Sequence, residues 1–505
     1  MSSKIKSIEQ LELIITRLKG EGKRIVLCHG VFDLLHIGHI RYFNAASKMG
    51  DILVVTLTED RFVDKGPGRP AFPEELRAEA ISNIGCVNFV AINKWPTAIE
   101  TLNLLKPDLY VKGSDYRDPS GDLTGNILLE AEAVRSNGGE ITFTDEVTYS
   151  SSSLLVNFSD IYTDEQRKYL NTLKAVNSIE HINAQIESMK GKTVLLIGEI
   201  IIDEYVYCNA VGKSGKEPVM VVKRLNSEQF MGGVLAIANH ISPFCESVII
   251  HSYIGEDRGF EDTILETMPD NVRIKFITKT GSPTILKRRY IDEYSKARIV
   301  GVYDIEDCLL DNEDEIRLLR NLQEDISEVD MVLVADYGHG LITPNVVDYI
   351  QENSPFLAVN TQINSSNIGF HTISKYAKAD FVCIHEGELR HDYRSRTCSE
   401  KELIEKLYSK MNCESIIITQ GKKGAIGYSK ETGFIQCPAF AARIIDRVGA
   451  GDSVLAITSL CHTVDLHLQS TLLIGNLAGA QSVATVGNKF GIDKTSLQKS
   501  LKSLF

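Results

Sequence analysis

The chain has 505 residues, a net charge of −13, 43% hydrophobic residues and 24% charged residues. That length exceeds what a single core sustains, so two or three domains are expected. The acidic balance excludes a nucleic-acid surface, which needs clustered Lys and Arg, but leaves room for small anions held by local amides. Ten scattered cysteines with no CxxC pair are poorly spaced for zinc or for a disulfide framework, and fit reduced thiols in the cytoplasm. The first residues read as an amphipathic helix rather than a signal peptide, and no apolar run approaches the ~20 residues of a membrane span.

In chain order, a buried-strand pattern over 24–30 leads to a helix over 37–49 and a strand over 51–57. A Gly/Pro-rich loop (65–73), a helix (74–84), strands over 87–92 and 108–112, and a helix over 96–105 between them follow. A helix near 124–137 and a strand near 140–144 close this part. Such alternation predicts a parallel sheet with right-handed crossovers, an α/β Rossmann-like unit whose ligands sit beyond the strands' carboxyl ends. Residues 159–192 are polar and helical in pattern and read as a linker. A strand over 193–203 opens a second α/β succession, with further strands at 247–251, 331–335, 379–384 and 415–419 and a helical end. The expected domains are therefore 1–158 and 193–505.

Two segments carry phosphate chemistry. In Gly30-Val-Phe32-Asp33-Leu-Leu-His36-Ile-Gly-His39, two His three apart at a helix start point the same way. With the helix N-terminus they suit charge building on a leaving pyrophosphate. Far downstream, Gly449-Ala450-Gly451-Asp452 follows a strand-like run and opens a helix. Its small residues let successive amides converge on one anion, and Asp452 lies where it can take a proton from an attacking hydroxyl.

The first segment resembles the GxFDxxHxGH signature of the cytidylyltransferase-like nucleotidyltransferases, and residues 20–158 carry its companions. Lys65-Gly-Pro-Gly-Arg-Pro70 and Glu75-Leu-Arg77 look like the family's basic loop. Val111-Lys112-Gly113-Ser-Asp115-Tyr116 resembles its KGxDY segment, and Tyr149-Ser150-Ser151-Ser152-Ser153 its hydroxyl run before a final helix. The resemblance implies that His36 and His39 stabilise a triphosphate, with Lys65 and Arg77 offsetting phosphate charge. Gly30, Phe32, Asp33, Lys112, Gly113, Asp115, Tyr116 and Ser150–Ser152 would line the nucleotide site.

Residues 193–505 resemble the ribokinase-like (PfkB) sugar kinases. The segments that match are Gly198–Asp203, Met231-Gly232-Gly233, Gly255-Glu-Asp257, Ala335-Asp-Tyr-Gly-His-Gly340, Thr419-Gln-Gly421 and the GAGD run. By that resemblance Asp452 is the base and Gly449, Ala450 and Gly451 form the anion hole. Thr419, Gly421 and Asn476 would hold adenine nucleotide, Asp203, Gly232 and Gly233 the sugar, and Glu388 the magnesium ion. Four positions depart from the family: Glu199 replaces an earlier Asp, Ala236 replaces a sugar-binding Asn, Asn360 stands in an Asp-Pro-Lys segment, and His385 replaces the Asn of Asn-x-x-Glu.

Both halves together are most similar to the bifunctional heptose kinase/adenylyltransferases of lipopolysaccharide precursor synthesis, with the domain order reversed. The resemblance implies a cytoplasmic enzyme that phosphorylates a heptose 7-phosphate-like sugar at C1. It would then join the 1-phosphate to a nucleotide, using Mg²⁺, ATP and a second NTP, and pair as a homodimer through its kinase domains. One alternative keeps only the nucleotidyltransferase active, on a sugar or polyol phosphate with ATP or CTP, beside a kinase-like binding module. Lys287-Arg288-Arg289-Tyr290 could hold a distal phosphate or form a solvated edge strand.

Overall fold

The structure, a computed structural model, describes residues 3–63, 69–117, 126–144, 162–256 and 258–505. Two compact units divide the chain: residues 1–170 with 495–505, and residues 171–494. The division falls inside the helix Asp164–Val176, within the segment read as a linker, which also holds the helix Ile179–Ser188. The closing helix Lys494–Leu504 buries Leu497, Leu501 and Leu504, an i, i+4, i+7 stripe, and all of it after Lys494 goes with the first unit.

The first unit is a five-stranded parallel sheet: β1 (Ile25–Gly30), β2 (Ile52–Thr58), β3 (Phe89–Asn93), β4 (Leu109–Lys112) and β5 (Glu140–Phe143), in the order β3-β2-β1-β4-β5. The central strands are buried on both faces, which is why they read as unbroken Val/Ile/Leu runs. One side packs Phe32, Phe43, Ala78 and Ile81, the other Ile8, Leu11, Leu102 and Tyr110. The order reverses beside β1, and the Gly30–His39 turn leaves the carboxyl end of that strand.

The second unit is built on nine strands. They are β6 (Thr193–Gly198), β9 (Ser247–Gly255), β10 (Val272–Lys279), β13 (Met331–Asp336), β14 (Leu357–Thr361), β15 (Phe381–His385), β16 (Ser415–Thr419), β17 (Ala425–Ser429) and β18 (Gly433–Cys437). A separate four-stranded sheet holds β7 (Ile200–Lys213), β8 (Met220–Gly233), β11 (Ile285–Asp292) and β12 (Arg298–Asp304), in the order β12-β11-β7-β8.

The expected single strand over 193–203 is therefore two. The run breaks at Glu199, whose buried carboxylate accepts the amides of Tyr337 and His339 at 3.0 Å each, and the chain crosses from one sheet to the other. The second correction concerns residues 287–290. They lie on β11, an interior strand paired with both β7 and β12, so the edge-strand reading fails. Among the described residues no helix is long and apolar enough to cross a membrane.

Candidate active sites

In the first unit, the sharp exit from β1 depends on Phe32, whose φ of 47° is left-handed. Its ring lies over Gly30, where a Cβ would stand 2.9 Å from the ring. The same ring meets His39 edge-on at 5.5 Å between centroids. His36 caps the helix Ile37–Ser47: its Nδ1 accepts the Gly38 amide at 3.0 Å. That bond fixes the tautomer, leaving the proton on Nε2. The His36 and His39 rings are 4.0 Å apart, so the two imidazoles form one surface at the helix start. Burial holds His36 below the ordinary histidine range, hence neutral at pH 7.

Two residues expected to face nucleotide do other work. Asp33 is 3% exposed, paired with Arg69, and accepts the amides of Ala71 and Phe72 at 2.7 and 3.1 Å. Its carboxylate is consumed in fixing the loop. Arg77 is 1% exposed and donates to the carbonyls of Phe72, Val31 and Thr58 and to Asp60. Each guanidinium nitrogen is engaged, so Arg77 clamps three chain segments and has no fork left for a phosphate. Lys112, at the end of β4, pairs with Glu130 at 2.9 Å and lies beneath the ring of Tyr116, 4.9 Å from its centroid. Gly113 leads into the short turn Ser114–Tyr116, which contains Asp115. Lys65 and Ser150–Ser152 lie outside the described residues.

In the second unit, Gly449 starts the helix Ala450–Cys461 at φ 81°, and a Cβ there would stand 1.7 Å from Oδ1 of Asn488. Only glycine lets the turn deliver the amides of Ala450 and Gly451 at the helix N-terminus. Asp452, one turn in, accepts from the Tyr337 hydroxyl at 3.0 Å. Burial pushes Asp452 up to about 6, with the charge of Asp203 adding to the rise and Tyr337 and Lys287 opposing it. That places a half-buried carboxylate near the pH at which a general base is most effective.

Asp203 comes from β7, 5% exposed and paired with Arg289 of β11. Gly232 makes room for it, because a Cβ there would stand 2.6 Å from Oδ2 of Asp203. Gly233, at φ 57°, lies against the carbonyl of Glu199. Glu388 accepts the amides of His385 and Ile363 at 2.6 and 3.2 Å. His385 Nδ1 in turn takes the Gly387 amide at 3.0 Å, completing a capping box. Burial pushes Glu388 up to about 7, those amides oppose, and the charge of Asp452 adds to the rise.

Asn360 donates to the Cys383 carbonyl at 2.6 Å, and Ala236 is fully buried in the helix Val234–Ile241. Thr419 ends β16, Gly421 (φ 57°) opens the next turn, and Asn476 donates to its own helix at 2.9 Å. No hydrogen bond or ion pair among the described residues joins these three to Asp452. Sequence reading passed over Tyr337, His339 and Glu199 as site residues. The signal was the Ala335–Gly340 motif, which gives the order of residues but not the cross-chain partners.

A nine-stranded α/β sheet, a separate four-stranded sheet and a carboxylate at a glycine-started helix define a sugar-kinase class of fold. The chain belongs to the pfkB family of carbohydrate kinases, whose model matches residues 192–495, and residues 27–157 match the cytidylyltransferase-like model. Curated relatives named bifunctional protein HldE include one from Trichlorobacter lovleyi, 35% identical over 167 residues, 32% of this chain and 33% of that protein. Another, from Gluconobacter oxydans, is 38% identical over 151 residues, 30% of each. One from Campylobacter jejuni is 24% identical over 304 residues, 60% of this chain and 63% of that protein. The matches thus span from 30% to 63% of these relatives' lengths. Among solved structures, phosphofructokinase-2 from Escherichia coli superposes with a TM-score of 0.52 at 15% identity, over 62% of this chain and 99% of that one, a likeness of fold.

Proposed function

We propose that the chain catalyses two reactions: ATP-dependent phosphorylation of a heptose 7-phosphate-like sugar at C1, giving a 1,7-bisphosphate, and nucleotidyl transfer to a sugar 1-phosphate with release of pyrophosphate. The observation that carries it is the pairing of two phosphate-handling sites on one chain, Asp452 behind its glycine turn and the stacked His36 and His39. The two family models match separate stretches, and the relatives named HldE support joining both activities on one chain. The nucleotidyltransferase would occupy 1–158 and the kinase 193–505.

At the kinase site, Asp452 takes the proton of the C1 hydroxyl as its oxygen attacks the γ-phosphorus. The Gly449–Gly451 amides hold the developing charge. Asp203, made accessible by Gly232, orients the sugar, while Thr419, Gly421 and Asn476 face the nucleotide. Among the described residues no cluster of three His, Cys, Asp or Glu could hold a metal. The Glu388 carboxylate offers hard oxygen donors and would hold Mg²⁺ arriving on ATP. When bound, the ion neutralises phosphate charge.

At the transferase site the sugar 1-phosphate oxygen attacks the α-phosphorus of ATP. His36 and His39 donate to the departing pyrophosphate, with no covalent intermediate, and Lys112, Asp115 and Tyr116 border the nucleotide. The edge strands of the four-stranded sheet expose Met220 and Val221 on β8 and Val300 and Val302 on β12, apolar surface that suits a homodimer. Ten free thiols suit the cytoplasm.

Mass spectrometry of products tests the reading. The full chain receives Mg²⁺, ATP and CTP, with heptose 7-phosphate in one reaction and heptose 1-phosphate in another. A heptose 1,7-bisphosphate from the first and an ADP-heptose from the second are expected. A 7-phosphate left untouched while the 1-phosphate turns over would refute the kinase step.

A further inference from the structure

Lys287 stands on β11 directly opposite Asp203 of β7, on an interior strand of the four-stranded sheet. Its side chain is almost wholly buried at 8% exposure, yet it forms no ion pair among the described residues. Its Nζ lies 3.2 Å from Nε2 of His339. The neighbouring cations of β11 are accounted for differently: Arg289 pairs with Asp203, and Arg288 with Glu204 and Asp304.

The protonation of His339 follows from its partners. Its Nδ1 lies 2.6 Å from Oδ1 of Asp307. A carboxylate only accepts, so Nδ1 carries the proton and Nε2 presents a lone pair. An ammonium only donates, so Lys287 points a proton at that lone pair. The ring is fully buried, and burial together with Lys287 keeps it below the ordinary histidine range, hence neutral. Its backbone is pinned as well: the amide goes to Glu199 at 3.0 Å and the carbonyl accepts from Lys279 at 2.9 Å.

A buried ammonium held by a neutral ring is a costly arrangement unless an anion completes it. Lys287 is the register partner of Asp203 in the parallel β11–β7 pair, so the two side chains leave the same face of the sheet. No carboxylate among the described residues closes on its ammonium. We propose that the Asp307–His339 pair positions the Lys287 ammonium as an unneutralised cation for a phosphate group in the kinase site, with Lys287 touching that phosphate. This rests on the reading of Asp452 as the base. The phosphate has two possible sources, the distal phosphate of the acceptor and the γ-phosphoryl of ATP, and both present the same oxygens.

Three variants separate the roles. His339→Gln retains an oxygen to accept from Lys287 and an amide to donate to Asp307, whereas His339→Leu retains neither, and Lys287→Met removes the cation. ADP release is followed with heptose 7-phosphate and with unphosphorylated heptose. A rise of tenfold or more in KM for the phosphorylated sugar alone, in Lys287→Met and His339→Leu, assigns the contact to the acceptor phosphate. A tenfold or greater loss of kcat with both sugars assigns it to the γ-phosphoryl. His339→Gln should recover most of either effect. Unchanged kinetics in Lys287→Met, or equal loss in the Gln and Leu variants, overturns the proposal.

A second readout does not need turnover. In ¹⁵N-lysine spectra, the Lys287 ammonium should give a slowly exchanging signal that moves on titration with inorganic phosphate and disappears in His339→Leu. A signal indifferent to phosphate also overturns the proposal. A moving signal in a protein that phosphorylates neither sugar would instead fault the assigned acceptor.

Discussion

The Tyr337 hydroxyl donates to Oδ1 of Asp452 across 3.0 Å, tying the loop after β13 to the first turn of the glycine-started helix. The bond stabilises the carboxylate form and works against the burial that raises Asp452 to about 6. Removing it with Tyr337→Phe should therefore raise that pKa further. A base acts only when deprotonated, so kcat/KM of the kinase should climb with pH through about 6 in the native chain. In Tyr337→Phe that limb should move to higher pH. A pH–rate profile of ADP release checks the direction, and an unmoved limb would show that Tyr337 does not act on the base.

Arg77 offers a test of structure against binding. Its guanidinium is spent on three carbonyls and Asp60. Arg77→Met should cost on the order of 3 kcal/mol of stability in the first unit, because buried acceptors lose their donors. Urea unfolding of the first unit is the measurement. A phosphate-binding Arg77 would instead leave stability unchanged and raise KM for the nucleotide.

His36 should titrate below the ordinary histidine value of about 6.5, since burial disfavours its charged form. Ring-carbon NMR shifts followed from pH 8 downward give the midpoint. His36→Ala removes both the helix cap and the Nε2 donor. It should lower nucleotidyl transfer by about 10²-fold or more while leaving ADP release by the kinase as it was.

Gly449 carries a stability prediction. Gly449→Ala meets both a left-handed φ of 81° and Oδ1 of Asn488 at 1.7 Å. A loss of about 1–3 kcal/mol is expected, seen as a lower Tm, together with loss of ATP turnover as the amides swing away. An unchanged Tm would mean the turn is not held as described.

The legible part of the fold was that written in local pattern. The run Ile25–Gly30 and the Val/Ile stretches of the first unit are buried on both faces, so unbroken apolar runs announced a parallel sheet. The helix-start positions of His36 and Asp452 were readable because they depend on neighbours a few residues away. What escaped were long-range pairings. Nothing local to Glu199 says that its carboxylate meets amides about 140 positions later and breaks one strand into two. Nor does the sequence near Arg77 or Asp33 reveal that nearby carbonyls and amides use up their hydrogen bonds. Motif placed Asp33 in the nucleotide pocket and Arg77 at a phosphate, whereas the hydrogen bonds place both in the scaffold.

The most direct test of two independent phosphate-transfer sites is product analysis of two variants, Asp452→Asn and His39→Ala, each given MgATP with heptose 7-phosphate and with heptose 1-phosphate. Asp452→Asn should yield no 1,7-bisphosphate yet still convert the 1-phosphate to nucleotide-heptose, and His39→Ala should do the reverse. Loss of both products in either variant, or bisphosphate formed at the native rate by Asp452→Asn, would contradict it.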